Sequence, residues 1–148
     1  MRRGLTFWRN DLRAQYALDR LLAECRVRGI TGRCLDLGCG QGDYFRQLVA
    51  SGRFATVHGL DSNPALANDI GPGFISGRME DFSADEPYDV IWCSHVLEHT
   101  PNPGQFLQRL HVLSRDGGPL CISVRGLSRC PRHYRSRNYK GDFRSLNW

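Results

Sequence analysis

The stretch that decides the fold is LDLGCGQGDYF at residues 35–45, in which three glycines stand at every second position behind an acidic residue. Glycine loses more backbone entropy on folding than any other residue, so this cluster is unfavourable unless the backbone must turn sharply or approach a ligand closely. RCLDL at 33–37 predicts a short strand before the glycines, and GDYFRQLVAS at 42–51 predicts a helix after them. The glycines therefore form a strand-to-helix turn.

The alternation of strand and helix continues on both sides of this turn. Apolar spacing predicts helices at 8–28, 63–69 and 102–115, and strands at 56–60, 74–78, 88–93 and 119–124. The helical residues predicted to face inward are Trp8, Leu12, Leu18, Leu21, Leu22, Cys25, Tyr44, Phe45, Leu48, Val49, Phe106, Leu107, Leu110 and Leu113. Strands that alternate with helices form a parallel sheet covered on both faces, so we predict an α/β fold, doubly wound around about five mainly parallel strands.

Length and composition indicate one ordinary globular domain. The chain has 148 residues, 41% of them hydrophobic and 24% charged. No apolar run approaches the roughly 20 residues of a membrane span, and the first residues lack the apolar stretch of a secretory signal. The six cysteines contain no CxxC pair, which argues against a zinc site or a disulfide scaffold. We therefore expect reduced thiols and a cytoplasmic protein.

The net charge of +5 comes entirely from the end of the chain. Residues 1–124 carry 13 arginines against 14 acidic residues, whereas residues 125–148 carry six arginines and one lysine against one aspartate. The body of the protein therefore gives no electrostatic reason to expect a nucleic-acid partner.

The glycine turn predicts a ligand site, because ligands of open parallel sheets bind beyond the carboxyl ends of the strands. A nicotinamide or flavin site would use G-x-G-x-x-G, but here Gly42 comes one position early. Asp36 would repel a pyrophosphate and attract a cationic group, such as the ammonium and sulfonium of S-adenosylmethionine. The simpler alternative is that Asp36 only accepts hydrogen bonds from loop amides.

Four motifs together resemble the class I S-adenosylmethionine-dependent methyltransferases, and most closely those that act on small molecules. They are LDLGCGQGDYF at 35–45, HGLDSNP at 58–64, YDVIWCSHVLEHTPNP at 88–103 and LSRDGGPLCISV at 113–124. The resemblance implies a Rossmann-like methyltransferase core over 30–124 that holds S-adenosyl-L-methionine across the ends of strands one to four. It also implies in-line transfer of the methyl group to an O, N or C nucleophile of a small-molecule substrate.

The resemblance implies a role for each matching residue. The glycine turn would wrap the methionine portion, Asp61 would accept hydrogen bonds from the ribose hydroxyls with Ser62 beside it, and the segment after strand three would meet the adenine. The cofactor-binding residues so implied are Asp36, Gly38, Cys39, Gly40, Gly42, Asp61, Ser62, Met79, Glu80, Asp81, Cys93 and Ser94. Two alternatives remain open: Asp61 caps the next helix, and residues 78–81, where Arg78 replaces a common acid, form a solvated turn.

The H-x-x-E-H run at 95–99 carries the catalytic prediction. His95 is the best general-base candidate if the acceptor needs deprotonation. A zinc-protease interpretation requires this run on a helix, whereas here it follows a strand. Some ubiquinone-pathway O-methyltransferases resemble the stretch and hold a divalent metal near it, so His95, Glu98 and His99 form a possible ligand set. Our prediction is that there is no metal site.

The chain divides into an N-terminal helix at 1–29 that packs on the core, the core at 30–124 and a basic tail at 125–148. The family's last strands have no counterpart after Val124, so the methyltransferase looks C-terminally truncated. Three interpretations of the tail compete: a solvated extension, a nucleic-acid-binding arm, or the product of a frameshift or premature end. The third accounts for most of the observations, namely the change in charge after strand five and the missing last strands. Two functional alternatives stay open: a cofactor-binding but inactive homologue, and a nicotinamide-dependent oxidoreductase.

We predict that the tail is disordered from about residue 126 and that the exposed edge of strand five favours self-association, because it presents unpaired N–H and C=O groups. Limited proteolysis followed by mass spectrometry should remove the tail first and leave a stable core. Sedimentation at increasing protein concentration should show association. A tail that resists the protease, together with other reading frames that show no strand and helix pattern past Val124, would contradict the truncation hypothesis.

Overall fold

All strands of the sheet run parallel in the computed structural model, which describes residues 8–124, and side chains from residue 14 onward. The helices are α1 (Trp8–Val27), α2 (Asp43–Ala50), α3 (Ala67–Ile70) and α4 (Pro103–Leu113), and the strands are β1 (Arg33–Leu37), β2 (Thr56–Asp61), β3 (Phe74–Ser76), β4 (Val90–Ser94) and β5 (Leu120–Ser123). Short 3₁₀ turns occupy Pro64–Leu66 and Leu97–His99. Within the described residues the strand order is β3-β2-β1-β4-β5, which confirms the predicted doubly wound α/β fold.

Helices bury both faces of the sheet. On one face, α1 and α2 pack against β1, β4 and β5 through Ala14, Leu18, Leu21, Cys25, Cys34, Leu48, Val90, Trp92 and Cys121. On the other face, α4 packs against β1, β2 and β4 through Leu35, Leu37, Leu60, Tyr88, Ile91, Cys93, Phe106, Leu110 and Leu113. Because both faces are covered, the strands are apolar on both sides, as buried parallel strands usually are.

Two asparagines start the helical segments that follow β2 and β4. The side chain of Asn63 accepts a hydrogen bond from Ala65 N–H, and that of Asn102 accepts one from Gln105 N–H. In each case a proline occupies the next position, where its fixed φ angle suits a helix and its missing N–H has no cost. These caps fix the loops at the carboxyl ends of β2 and β4.

Two predicted core positions are wrong. Val49 of α2 and Leu107 of α4 are 50% and 39% exposed. In each helix the preceding residue, Leu48 or Phe106, faces the sheet. Successive side chains of a helix differ in direction by about 100°, so the residue that follows points away from the buried face. The side chains of Trp8 and Leu12 and the whole of the tail lie outside the described residues.

The strand β5 lies at one edge of the sheet in the described part of the chain. Leu120, the first residue of β5, and Val124, the residue after its end, are each more than a third exposed. Within residues 8–124, β5 is thus an edge strand as predicted, and association through it stays a prediction.

None of the helices within residues 8–124 combines the length and the apolar character needed to cross a membrane. The longest of them, α1, carries charged residues along its whole sequence, WRNDLRAQYALDRLLAECRV. The cytoplasmic location stays a prediction.

Candidate functional site

A cleft of about 460 Å³ lies beyond the carboxyl ends of β1, β2 and β4. It is lined by Leu37, Gly38, Leu60, Asp61, Ser62, Gly77, Arg78, Met79, Glu80, His95, Val96, His99, Thr100, Pro101 and Phe106. The volume falls in the range of sites for small molecules and cofactors, about 300–1,000 Å³. The position is the one at which open parallel sheets bind their ligands.

The glycine turn lies beside the cleft and reaches it at Gly38. Gly38, Gly40 and Gly42 have φ angles of 71°, 50° and 83°, a left-handed conformation that other residues rarely adopt. A Cβ atom on Gly38 would lie only 2.3 Å from Cγ2 of Val96, whereas one on Gly40 would meet no atom within 4 Å. A side chain at position 38 would thus collide with Val96, whereas the space next to the backbone of Gly40 is open.

Asp61, the last residue of β2, connects the two loops at this end of the sheet. Its Oδ2 accepts a hydrogen bond from Gly40 N–H at 2.9 Å, and its Oδ1 accepts one from Asn63 N–H at 3.0 Å. The carboxylate therefore organises the following turn and also holds the glycine turn, whereas the cap of the helical segment after β2 is Asn63 and not Asp61. Because each carboxylate oxygen has a second lone pair, Asp61 can still accept two hydrogen bonds from a ligand.

Asp36 is buried beneath the glycine turn, with only 1% of its surface exposed. It accepts a backbone hydrogen bond from Phe45, yet its Oδ2 has no partner among the described residues. Burial in the core raises the pKa of this carboxyl from 3.8 to about 7, and the charge of Asp61 adds to the shift. The loop-amide alternative thus accounts for one hydrogen bond and leaves one carboxylate oxygen unsatisfied.

Two further buried polar atoms share this face of the sheet. Asp36 pairs with Trp92 across β1 and β4, and Ser94 follows two residues later on the same side of β4. Trp92 Nε1 and Ser94 Oγ are buried without a hydrogen-bond partner within residues 8–124. Unpaired buried polar groups are costly, so Asp36, Trp92 and Ser94 are three unfavourable positions on one face of the sheet.

The described cysteines are buried thiols. Burial raises the pKa of Cys39 and of Cys93 to about 12, and that of Cys121 to about 11. Such groups remain protonated at neutral pH, and the thiolate is the reactive form. Cys39 and Cys93 are therefore packing residues in this structure, and neither lines the cleft.

His95 lines the cleft directly after β4 in a strained conformation. Its φ angle is +58°, the one positive value at a non-glycine residue between 8 and 124. Its Nδ1 lies 3.3 Å from Oε1 of Glu98, close enough for an ion pair but without the angles of a hydrogen bond. Strained residues of this kind concentrate at functional sites, and a nearby carboxylate is a means of orienting an imidazole ring.

The predicted site residues fall into two groups. Gly38, Asp61, Ser62, Met79, Glu80 and His95 line the cleft, whereas Asp36, Cys39, Gly40, Gly42, Asp81, Cys93 and Ser94 do not. Thr100, Pro101 and Phe106 also line the cleft, and none of them was predicted as a site residue. Phe106 belongs to the apolar stripe of α4, so its pattern indicated only a core residue.

The possible metal ligands do not form a cluster. Among residues 8–124, no group of three or more His, Cys, Asp or Glu side chains is arranged to hold a metal ion. In this structure His95 contacts Glu98, and His99 is the next residue along the chain.

The class of this protein follows from its similarity to known proteins. Residues 7–146 match a family described as a methyltransferase domain, and the chain belongs to that family. The match runs past residue 124 into the basic tail, and the domain boundary placed there stays a prediction.

Curated relatives narrow the comparison. The chain is 31% identical over 137 residues to the ubiquinone biosynthesis O-methyltransferase of Saccharophagus degradans, covering 84% of this chain and 53% of that protein. It is 29% identical over 128 residues to the protein of the same name from Rickettsia akari, covering 82% and 51%. The chain thus spans about half the length of the curated relatives it matches.

Solved structures agree in fold. The plantazolicin methyltransferase BpumL, in complex with a pentazolic desmethylPZN analogue and SAH, aligns with a TM-score of 0.58 at 25% identity, over 67% of this chain and 42% of that one. A S-adenosylmethionine-dependent methyltransferase from Clostridium acetobutylicum aligns with a TM-score of 0.66 at 14% identity, over 75% and 50%.

Asp36→Asn is expected to change how stability depends on pH. Between about pH 4 and pH 7 the folded protein holds a proton on Asp36 that the unfolded chain has released, so the free energy of unfolding falls as the pH rises through this window. Removing the titration should raise the free energy of unfolding above pH 7 by up to about 4 kcal/mol. Urea unfolding at pH 5 and pH 8 measures it.

Asp43→Asn is the matched control, because Asp43 is an exposed acid at the start of α2. It should leave the pH profile of the wild-type protein unchanged. An Asp36→Asn variant with the same profile as wild type would show that the buried carboxyl does not titrate in this window.

Proposed function

We propose that this chain binds S-adenosyl-L-methionine in the cleft and transfers its methyl group to a hydroxyl of a small-molecule acceptor. The observation that carries the proposal is the hydrogen bond between Gly40 N–H and Asp61 Oδ2, which joins the glycine turn and the acid that ends β2 at one cleft. The methyltransferase family supports the cofactor, and the O-methyltransferase names of the curated relatives support an oxygen nucleophile.

The residues present fit this cofactor. The unsatisfied Oδ2 of Asp36 suits a ligand ammonium, because a cation would stabilise the charged carboxylate that burial disfavours. The free lone pairs of Asp61 suit two ribose hydroxyls. Met79 and Glu80, which line the cleft, would meet the adenine edge. When bound, S-adenosyl-L-methionine supplies a methyl group already activated by its sulfonium.

On the acceptor side, His95 would remove the proton from the acceptor hydroxyl. It lines the cleft, and Glu98 at 3.3 Å would stabilise the imidazolium that forms when the ring takes up this proton. The rest of the contribution is positioning and exclusion of water, which can be worth about 7–11 kcal/mol of the barrier.

Two alternatives differ in what supports them. The cofactor-binding but inactive homologue stays open, because the chain spans about half the length of relatives with the proposed activity. The nicotinamide-dependent oxidoreductase loses its support, since the chain belongs to a methyltransferase family.

Isothermal titration with S-adenosylhomocysteine tests the cofactor. Wild-type protein should bind it and should not bind NADH. Asp61→Ala should weaken binding by about 1.5–3 kcal/mol for each charged hydrogen bond lost, and Gly40→Val should abolish binding, because a β-branched side chain suits neither the φ angle of 50° nor a close ligand.

Asp69→Ala is the control for charge alone, since Asp69 is an exposed acid on the neighbouring helix α3. Its affinity for S-adenosylhomocysteine should equal that of wild type. If Asp61→Ala and Gly40→Val also bind as wild type does, the cofactor site is elsewhere.

His95→Asn tests the general base in a methyl-transfer assay over a panel of small hydroxylated acceptors. Asparagine tolerates a positive φ angle, so the turn should survive. We expect kcat to fall by about 10²- to 10⁴-fold while S-adenosylhomocysteine affinity stays the same. His111→Asn, an exposed histidine at the end of α4, should keep full activity. Wild-type protein that binds the cofactor but methylates nothing would favour the inactive homologue.

A further inference from the structure

A second, smaller cavity lies next to the cleft, between α4 and the segment that follows β3. Its volume is about 130 Å³. Arg78, Met79 and Glu80 line both cavities, as does Phe106 of α4, whereas Arg109 of α4 lines only the smaller one. Residues 78–80 therefore form the boundary between the cleft and the space that α4 covers.

Little besides this helix fixes the backbone of the segment 78–82. Its backbone hydrogen bonds are local: Asp81 N–H and Phe82 N–H donate to Arg78 O at 3.2 and 3.0 Å, and Phe82 N–H also donates to Met79 O at 3.3 Å. Met79 and Phe82 are partly buried against the core. Among the described residues, the segment's one long-range hydrogen bond comes from Arg109 Nη2, which donates to Phe82 O.

Arg109 is an unusual residue for this position if packing were its only role. Its Nε is buried and has no hydrogen-bond partner among residues 8–124. A buried donor without a partner is unfavourable, and an apolar side chain on this face of α4, beside Phe106 and Leu110, would avoid it. The bond to Phe82 O is an interaction that needs a side-chain donor and that an apolar side chain could not make.

We infer that Arg109 is a positioning residue that holds the segment Met79–Asp81 in the conformation that recognises adenine. This rests on the proposed function, in which that segment meets the adenine edge of the cofactor. Arg109 does not line the cleft itself, so it acts through Phe82 and the tight turn that begins at Arg78. Loss of this hydrogen bond would make the turn more mobile, and the preference for adenine over other purines would fall.

The test compares two ligands and three variants. S-adenosylhomocysteine and S-inosylhomocysteine differ at one edge of the purine, where the 6-amine is replaced by a carbonyl oxygen and N1 gains a proton. Arg109→Met removes the donor and keeps an apolar side chain of similar reach, Arg109→Lys keeps one donor, and Arg115→Met removes an arginine near the other end of the molecule, where it pairs with Asp89. Calorimetry gives each affinity, and hydrogen exchange reports the amides of residues 79–82.

Wild-type protein should prefer S-adenosylhomocysteine. Arg109→Met should lose about tenfold in affinity for it, the equivalent of one hydrogen bond, and lose less for S-inosylhomocysteine, so the preference narrows. Exchange at residues 79–82 should be faster in this variant alone, Arg109→Lys should recover part of the preference, and Arg115→Met should match wild type.

Different results would overturn the proposed function and the inference about Arg109. Wild-type protein that does not bind S-adenosylhomocysteine overturns the proposed function, and this inference with it. Two results would overturn this inference and leave the proposed function standing, provided that the wild-type protein binds S-adenosylhomocysteine. One is an unchanged ligand preference in Arg109→Met. The other is an equal loss of affinity for both ligands without faster exchange at residues 79–82. If circular dichroism shows that Arg109→Met does not fold, Arg109→Leu takes its place, because it also removes the donor: a preference and exchange identical to wild type would overturn the inference.

Discussion

The structure of the site depends on how the turn after β1 is bound to the end of β2. Gly38 N–H and Cys39 N–H both donate to Leu60 O, at 2.7 and 3.1 Å, and Gly40 N–H donates to Asp61. These bonds use successive amides of one turn, which is possible only where the backbone can adopt positive φ angles. They set the distance between two strand ends and so define the cleft between them.

The buried carboxyl of Asp36 connects stability with function in the proposed site. In the folded protein without a cation beside it, burial opposes its charge, so the residue is a cost to folding at neutral pH. A cationic ligand reverses that balance, because it stabilises the charged form in a medium where electrostatic interactions are strong. A residue that weakens the empty protein is therefore the one that would gain most from the proposed cofactor.

Much of the fold was predictable, because strands and helices have different apolar periods and because buried parallel strands are short apolar runs. Short helices were harder: in α2, Val49 follows Leu48 directly, and composition does not tell which of them faces the sheet. The glycine turn and Asp61 were predictable since strand ends meet at one edge. Thr100 and Phe106 were not, because the irregular 3₁₀ turn at Leu97–His99 brings them to the cleft.

The orientation of site residues is also a matter of strand alternation. Asp36 stands on the same side of β1 as Cys34, which packs against α1. Its side chain therefore lies on the face of the sheet that α1 and α2 cover, and not in the cleft. In the proposed function, cofactor residues would thus act from two sides: Asp61 and Met79 from inside the cleft, and Asp36 from beneath the turn. Affinity for the cofactor and turnover would then be separable. Affinity would depend on residues at the ends of four neighbouring strands and on the helix α4, whereas turnover would also require an acceptor held beside His95.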